Sequence, residues 1–428
     1  MSLGVAVIGA GIVGGGVVKI LTEIPDALRA NTGVDIRLTR VCEINPDNLK
    51  EFDLSGVAVT DKVQDLFDAD DVDVVCELIG GEEPARTFIL GALNAGKHVV
   101  TANKMLIAMH GPELTEAAIK NGVELRYEAA VAGGIPIIKA IREGLAANTI
   151  NSIYGIMNGT CNYILSRMTY EGLAFDDVLK LAQELGFAET PPDLDIQGHD
   201  TAHKAQIIAS LCSGSKVNLD DIYVEGITEV TGGDIADARE MGYLIKLLAV
   251  YRDVDGEIDA RVHPMLVPED HLLASVRNEF NAVFVDSDIA DATLYYGKGA
   301  GRMPTASAVV ADIADIARRG DGPVPPPFQY TTEKKLRDIG QHRGQFYLRL
   351  STTDEPGVVG QVGTILGNHN VSIASCKQRD PKGSSSVDLI IITHTALESE
   401  LRDALAKIDN LDCVSNPTNV LRILEESN

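Results

Sequence analysis

The stretch Val5-Ala-Val-Ile-Gly-Ala-Gly-Ile-Val-Gly14 decides the fold. An apolar run reads as a buried strand and enters Gly9-x-Gly11-x-x-Gly14 without an intervening residue. In such a turn the first glycine permits the tight reversal. The second lets backbone approach a pyrophosphate, and the third lets the following helix close on the strand. The helix N-terminus then offers unpaired N–H groups and the positive end of its dipole to phosphate. These features imply a dinucleotide site built from Gly9, Gly11, Ile12, Val13 and Gly14.

Working outward, strand and helix signals alternate to about residue 130. Strands are expected at 4–8, 36–42, 73–78, 97–101 and 123–127, with helices at 14–24 and 84–95 among those between them. This alternation predicts an α/β fold with a Rossmann-type doubly wound parallel sheet. Glu43 falls just past the second strand, where an acidic side chain can hold a ribose 2′-OH and favour NAD over NADP. An ordinary solvated glutamate explains it equally well, and the gap from Gly14 exceeds the usual spacing of roughly 20 residues. Ligands of such sheets bind at the carboxyl ends of the strands. Cys76–Gly81 and His98–Lys104 stand there, nominating Gly80, Thr101 and Lys104 beside the cofactor.

The chain has 428 residues and a formal net charge of −25. That balance excludes a basic nucleic-acid surface and disfavours anionic membranes. No apolar run approaches the roughly 18 residues of a spanning helix, and the N-terminus lacks the basic region of a signal peptide. The six cysteines are scattered, never as CxxC, as expected for reduced thiols in the cytoplasm.

From about 130 the pattern changes. A glycine-rich stretch precedes Asn151–Leu165, and Gly297–Ala317 reads as a glycine loop, with Gly301, followed by a long apolar-striped helix returning to the first domain. The expected organisation is 1–130 plus 300–320 for nucleotide, and 131–299 as an α+β substrate and dimerisation domain. A proline-rich linker at 321–345 then leads to a ferredoxin-like βαββαβ module at 346–424.

The segment richest in chemistry runs from Ala188 to Ile208. A polar loop carries Glu189, Asp193 and Asp195, then a helix carries Asp200 and Lys204 four apart, on one face, just before it turns apolar. A lysine at such a boundary can exchange protons near neutral pH, or Asp200 can hold it charged and oriented. The plain alternative is an exposed ion pair. His199 and His203 share a face too, but no third metal ligand accompanies them.

These blocks together closely resemble the bacterial homoserine dehydrogenase family with a C-terminal ACT domain. The resemblance rests on GAGIVG at 9–14, VVTANK at 99–104, EAAVAGGIPII at 128–138 and NGTCNYIL at 158–165. It continues with the E…D…GxDxAHK block at 189–204 and GKGAG…PTASAV at 297–309, in the family's order. It implies NAD(P)-dependent interconversion of homoserine and aspartate semialdehyde, on the branch toward threonine, isoleucine and methionine. Lys204 matches the acid/base lysine, Lys104 the lysine beside cofactor and substrate, and Asp200 an acidic partner near the acid/base lysine. Gly159, Thr160, Glu189 and Asp195 match substrate contacts, and Glu128, Val131, Gly133 and Ile135 a carbonyl-lined sodium site. The family's A-D-P is here Thr190-Pro191-Pro192, which puts the shape of that loop in doubt. Thr352–Val362 resembles the ACT signature, implying a threonine effector near Asp354, Gly357 and Asn370, or else a purely structural dimerisation module. A homodimer or homotetramer is expected. Two other readings remain: an amino-acid sensor without turnover, disfavoured by the retained Lys104, Glu189, Asp195 and Lys204, and a related oxidoreductase of another small aldehyde.

Overall fold

A computed structural model describes residues 2–188, 190–320, 322–324, 328–379 and 386–425. The chain forms two compact units, 1–159 with 200–222 and 279–334, and 160–199 with 223–278 and 335–428.

In the first unit six strands form a parallel sheet: β1 (Ser2–Ile8), β2 (Asp35–Cys42), β3 (Ala58–Thr60), β4 (Val74–Glu77), β5 (His98–Thr101) and β6 (Leu125–Arg126). Their order is β3-β2-β1-β4-β5-β6, so the topology reverses between β1 and β4, where doubly wound sheets open their ligand crevice. Val5, Ala6 and Val7 are fully buried, as a strand covered on both faces requires. The helices Ile12–Glu23 and Arg302–Arg319 share one apolar core with β1, β2 and β4. The return helix expected from the sequence is therefore real. β3 was not foreseen, because three residues, two of them exposed and none buried, carry no period. The strand expected at 123–127 shortens to two residues. Ile150–Ile156, Phe280–Ser287 and Asp291–Lys298 add an antiparallel sheet to this unit.

The second unit is built on a hairpin, Tyr243–Val254 with Glu257–Pro268, turned at Asp255-Gly256, both with positive φ. The final strand, Asn419–Ile423, runs parallel to the hairpin's second strand, with Met265 opposite Arg422 and Leu266 opposite Ile423. Phe346–Thr353, Ser386–Thr393 and Ile373–Arg379 extend the same sheet in that order. With helices Val358–Asn368 and Glu398–Ile408 these strands make the expected βαββαβ module, in spatial order fourth-first-third-second. Its buried core includes Phe346, Leu348, Val362, Leu366, Leu401 and Ile408.

Part of the expected linker lies outside the described residues (321 and 325–327). The stretch 332–337 is no free spacer. Thr332 N–H donates to Gly214 O, and Ile258 exchanges hydrogen bonds with Lys335 and Arg337, so the backbone there is pinned.

Candidate active site

The glycine turn does what its spacing requires. Gly9 sits at φ 85°, a conformation costly for other residues. A Cβ at Gly14 would lie 1.8 Å from Gly9 O, whereas one at Gly11 would meet nothing within 4 Å. Close packing thus fixes Gly14, and Gly11 faces open space. The apolar side chains of Ile12 (74% exposed) and Ile44 (85% exposed) are left outside the core beside it. Glu43 braces the turn: one oxygen accepts from Ala10 N–H at 2.6 Å and from Asn48, the other from Asn45 N–H at 2.8 Å. Partial burial pushes its carboxyl up, but these hydrogen bonds outweigh that and hold it below the usual range.

Sequence reasoning passed over Glu77, the fully buried last residue of β4. One carboxylate oxygen accepts from Ile79 and Gly80 N–H, and the other accepts from Thr101 Oγ1 at 2.7 Å. Thr101 Oγ1 in turn accepts from Asn103 N–H, and Asn103 caps the helix Lys104–Asn121 while donating to Gly81 O. The ends of β4 and β5 are thereby locked together, and Lys104 opens a helix whose first turn is fixed. A glutamate ending an apolar V-V-C-E strand was the available signal, since packing alone does not select a carboxylate there. Gly301, at φ 121°, precedes the helix Arg302–Arg319, and Arg302 pairs with Glu51 at 2.7 Å.

Asp200 is the centre of the charged cluster. Its Oδ2 accepts from Lys204 Nζ at 2.7 Å and from Asn158 Nδ2 at 2.9 Å, and its Oδ1 lies 2.8 Å from Lys104 Nζ. Lys204 Nζ also donates to Met157 O at 2.7 Å. Burial raises the carboxyl's pKa, but Lys204 first and Lys104 next outweigh it and keep the group well below the ordinary carboxylate range. The Lys204 side chain is 11% exposed and that of Lys104 41%, so one lysine is enclosed and the other faces outward. The helix His199–Ser213 sets Asp200 and Lys204 one turn apart, as the sequence implied. It did not imply that both lysines converge on one carboxylate, nor the parts of Asn158 and the Met157 carbonyl. The M-N pair immediately before Gly159-Thr160 was the readable hint.

Gly159 opens the helix Gly159–Glu171, and a Cβ there would lie 2.7 Å from Glu279 O. Thr160 and Asp195 belong to the second unit. Thr160 Oγ1 donates to Phe187 O at 2.6 Å and lies 3.3 Å from Asp195 Oδ2, while Cys161 Sγ donates to Asp195 O. Glu189 lies outside the described residues.

At the carbonyl turn, Ala132 and Gly133 both have φ 53°, and a Cβ on Gly133 would strike Gly299 O at 2.3 Å. Ile135 N–H closes the turn on Ala132 O, and Glu128 O receives Val131 N–H at 3.3 Å. The Glu128 carboxylate takes Ile138 and Lys139 N–H, while its own N–H donates to Asp312. Ile135 O likewise accepts from Ile137 N–H at 2.8 Å. Among the described residues, no group of three or more His, Cys, Asp or Glu side chains is placed to hold a metal ion. In the C-terminal module Gly357 takes φ 97° at the first helix, Asn370 Nδ2 donates to Glu400, and Asp354 accepts from Gln378. Among the described residues, no helix is long and apolar enough to cross a membrane.

Fold and site define an NAD(P)-dependent oxidoreductase of the CH–OH group joined to an ACT module. Residues 136–314 match the homoserine dehydrogenase family model, 9–128 the homoserine dehydrogenase NAD-binding domain and 346–413 the ACT domain. A homoserine dehydrogenase of Neisseria gonorrhoeae is 43% identical over 429 residues, 98% of each chain. The crystal structure of a homoserine dehydrogenase from Thiobacillus denitrificans superposes with a TM-score of 0.94 at 42% identity, covering 99% of each chain. A hyperthermophilic archaeal homoserine dehydrogenase in complex with NADPH matches 76% of this chain and 100% of its own, with a TM-score of 0.63 and 26% identity. The chain belongs to the homoserine dehydrogenase family.

Proposed function

We propose that the reaction is the reversible oxidation of homoserine to aspartate semialdehyde, with Lys204 as principal proton carrier. One observation supports the assignment above others: the shared Asp200 carboxylate between Lys104 and Lys204. The nicotinamide, when bound, takes or returns the hydride. Lys204 in its neutral amine form accepts the hydroxyl proton in the oxidation, and as the ammonium gives a proton to the carbonyl oxygen in the reduction, so no bare alkoxide forms. Asp200 holds both lysines in place and favours their charged forms. Lys104, the more exposed, orients the reacting oxygen. Gly159, Thr160, Glu189 and Asp195 hold the amino-acid part of the substrate.

The glycine turn, with Gly9, Gly11, Ile12, Val13 and Gly14, receives the pyrophosphate, and Gly80, Thr101 and Gly301 line the same end of the sheet. The nucleotide is NAD or NADP, and a carboxylate at Glu43 favours NAD. The carbonyls of Glu128, Val131, Gly133 and Ile135 fit a structural sodium ion. The enzyme serves the branch toward threonine, isoleucine and methionine in the cytoplasm, as a homodimer or homotetramer. Threonine binds the ACT module near Asp354, Gly357 and Asn370 and inhibits. Homoserine-dependent reduction of NAD and NADP tests the reaction directly. Turnover with neither nucleotide rejects it, and threonine without effect on a competent enzyme rejects the feedback alone.

A further inference from the structure

The ACT module's last strand does more than close its own sheet. It lies against the strand Glu257–Pro268 and carries Arg422, a guanidinium that is almost fully buried. Arg422 Nε donates to Glu398 Oε2 at 2.9 Å and Nη2 to Glu398 Oε1 at 2.5 Å. Its Nη1 donates to Glu225 Oε2 at 3.0 Å, and Nη2 reaches Tyr223 Oη at 3.3 Å. Tyr223 Oη donates to the same Glu225 oxygen at 2.8 Å. One guanidinium therefore ties the ACT module's second helix to the segment 223–227.

That segment rests on the turn carrying Asp195. A Cβ on Gly226 would fall 2.2 Å from Ile196 O and 2.5 Å from Gln197 Cα. Ile227 N–H donates to Ile196 O at 2.8 Å. On the other side the turn is held by Cys161 Sγ on Asp195 O, with Thr160 Oγ1 beside the Asp195 carboxylate. The same turn runs directly into the helix bearing Asp200 and Lys204. Segment 223–227 has little regular structure of its own: two residue pairs, Arg261 with Tyr223 and Val262 with Val224, and the backbone bonds Glu225 N–H to Val262 O, Ile227 N–H to Ile196 O and Val230 N–H to Ile227 O. Its polar side-chain anchors are Glu225 and Tyr223, which bond each other and both meet Arg422.

We infer that Arg422 is a positioning residue for substrate binding: through Glu225 it seats segment 223–227 on the Asp193–Gly198 turn and so fixes Asp195. The inference rests on the reading of Asp195 as a substrate contact. It gives the ACT module a part in homoserine affinity with no effector bound, because the chain's last strand completes the support of the turn. Bidentate geometry makes arginine hard to replace at this position.

The test uses full-length enzyme and four variants, with KM for homoserine, KM for the nucleotide, kcat and thermal midpoint measured for each. Glu225→Gln and Arg422→Lys are expected to raise homoserine KM about fivefold while nucleotide KM stays within about twofold. Ser351→Ala is the control. Ser351 Oγ donates to Asp388 within the module, away from Glu225, Tyr223 and Arg422, so it perturbs the module without touching the link, and homoserine KM should hold. Asp195→Asn checks the premise and should raise homoserine KM at least as much as Glu225→Gln. If Asp195→Asn raises it and Glu225→Gln does not, the coupling is wrong. If Asp195→Asn has no effect, the premise fails and the inference with it. Equal rises in both KM values for Glu225→Gln, Arg422→Lys and Ser351→Ala, tracking lost thermal stability, also overturn it.

Discussion

Lys104 and Lys204, far apart in sequence, meet on one carboxylate: Asp200 receives Lys104 on Oδ1 at 2.8 Å and Lys204 on Oδ2 at 2.7 Å. A buried anion between two cations stabilises the charged form of each lysine. Removing that charge while keeping the shape should therefore alter titration more than folding. Asp200→Asn is expected to lower kcat by about a hundredfold. It should also move the rise of homoserine oxidation to lower pH, because the lysines then lose their protons more readily. A pH–rate profile of both directions checks this. An unmoved profile would mean that neither lysine carries the proton.

The two glycines of the turn should fail in different ways. Gly14→Ala sets a Cβ 1.8 Å from a backbone oxygen, so β1 and its helix must separate, and the thermal midpoint should fall with nucleotide binding. Gly11→Ala meets no protein atom within 4 Å, so the fold should keep its midpoint while nucleotide affinity drops by about tenfold or more. Calorimetric unfolding beside nucleotide titration separates the two. Similar midpoints for both variants would contradict the packing account.

Glu77→Gln replaces an acceptor of three hydrogen bonds by a group that accepts on only one oxygen. The amide must turn its NH2 toward either Thr101 or the Ile79–Gly80 backbone. Nucleotide KM should rise by about an order of magnitude. Steady-state kinetics with each substrate varied in turn makes the check, and an unchanged nucleotide KM would show that this bracing is dispensable.

Lys246 offers a pH dependence with a definite sign. It is buried, and desolvation with the nearby Arg277 lowers its pKa from 10.5 to about 7. Nζ donates to Asn162 Oδ1 at 3.1 Å and to Val276 O at 2.5 Å, two acceptors that a neutral amine can serve. A depressed lysine contributes stability above its unfolded pKa and loses it as pH falls toward the folded value. Between about pH 10.5 and 7 the wild type should therefore lose stability relative to Lys246→Met, by about 5 kcal/mol across the range. Denaturant midpoints of both proteins at several pH values measure it, and parallel curves would rule the effect out.

The fold was legible where residues carry a period or a steric demand. Val5–Gly14 specifies strand, turn and helix because each glycine has a separate geometric reason. The βαββαβ order comes from apolar runs of the right length around two amphipathic stretches. β3 was invisible, since its pairing with β2 comes from the sheet edge and not from its own side chains. At the site, Asp200 and Lys204 were readable because helical spacing fixes their separation. The convergence of Lys104 was not, because it depends on where a strand end and a distant helix meet in space. Glu77, Asn158 and Arg422 were missed for a related reason. A buried polar residue looks ordinary in sequence, and only its partners reveal what it holds.

The most direct single measurement is homoserine-dependent nucleotide reduction by Lys204→Ala beside the wild type, with nucleotide affinity measured on both. The account predicts a turning-over wild type and a variant that binds nucleotide normally but loses at least about a hundredfold in kcat. A variant as active as the wild type would contradict it and leave Lys104 or a water to carry the proton.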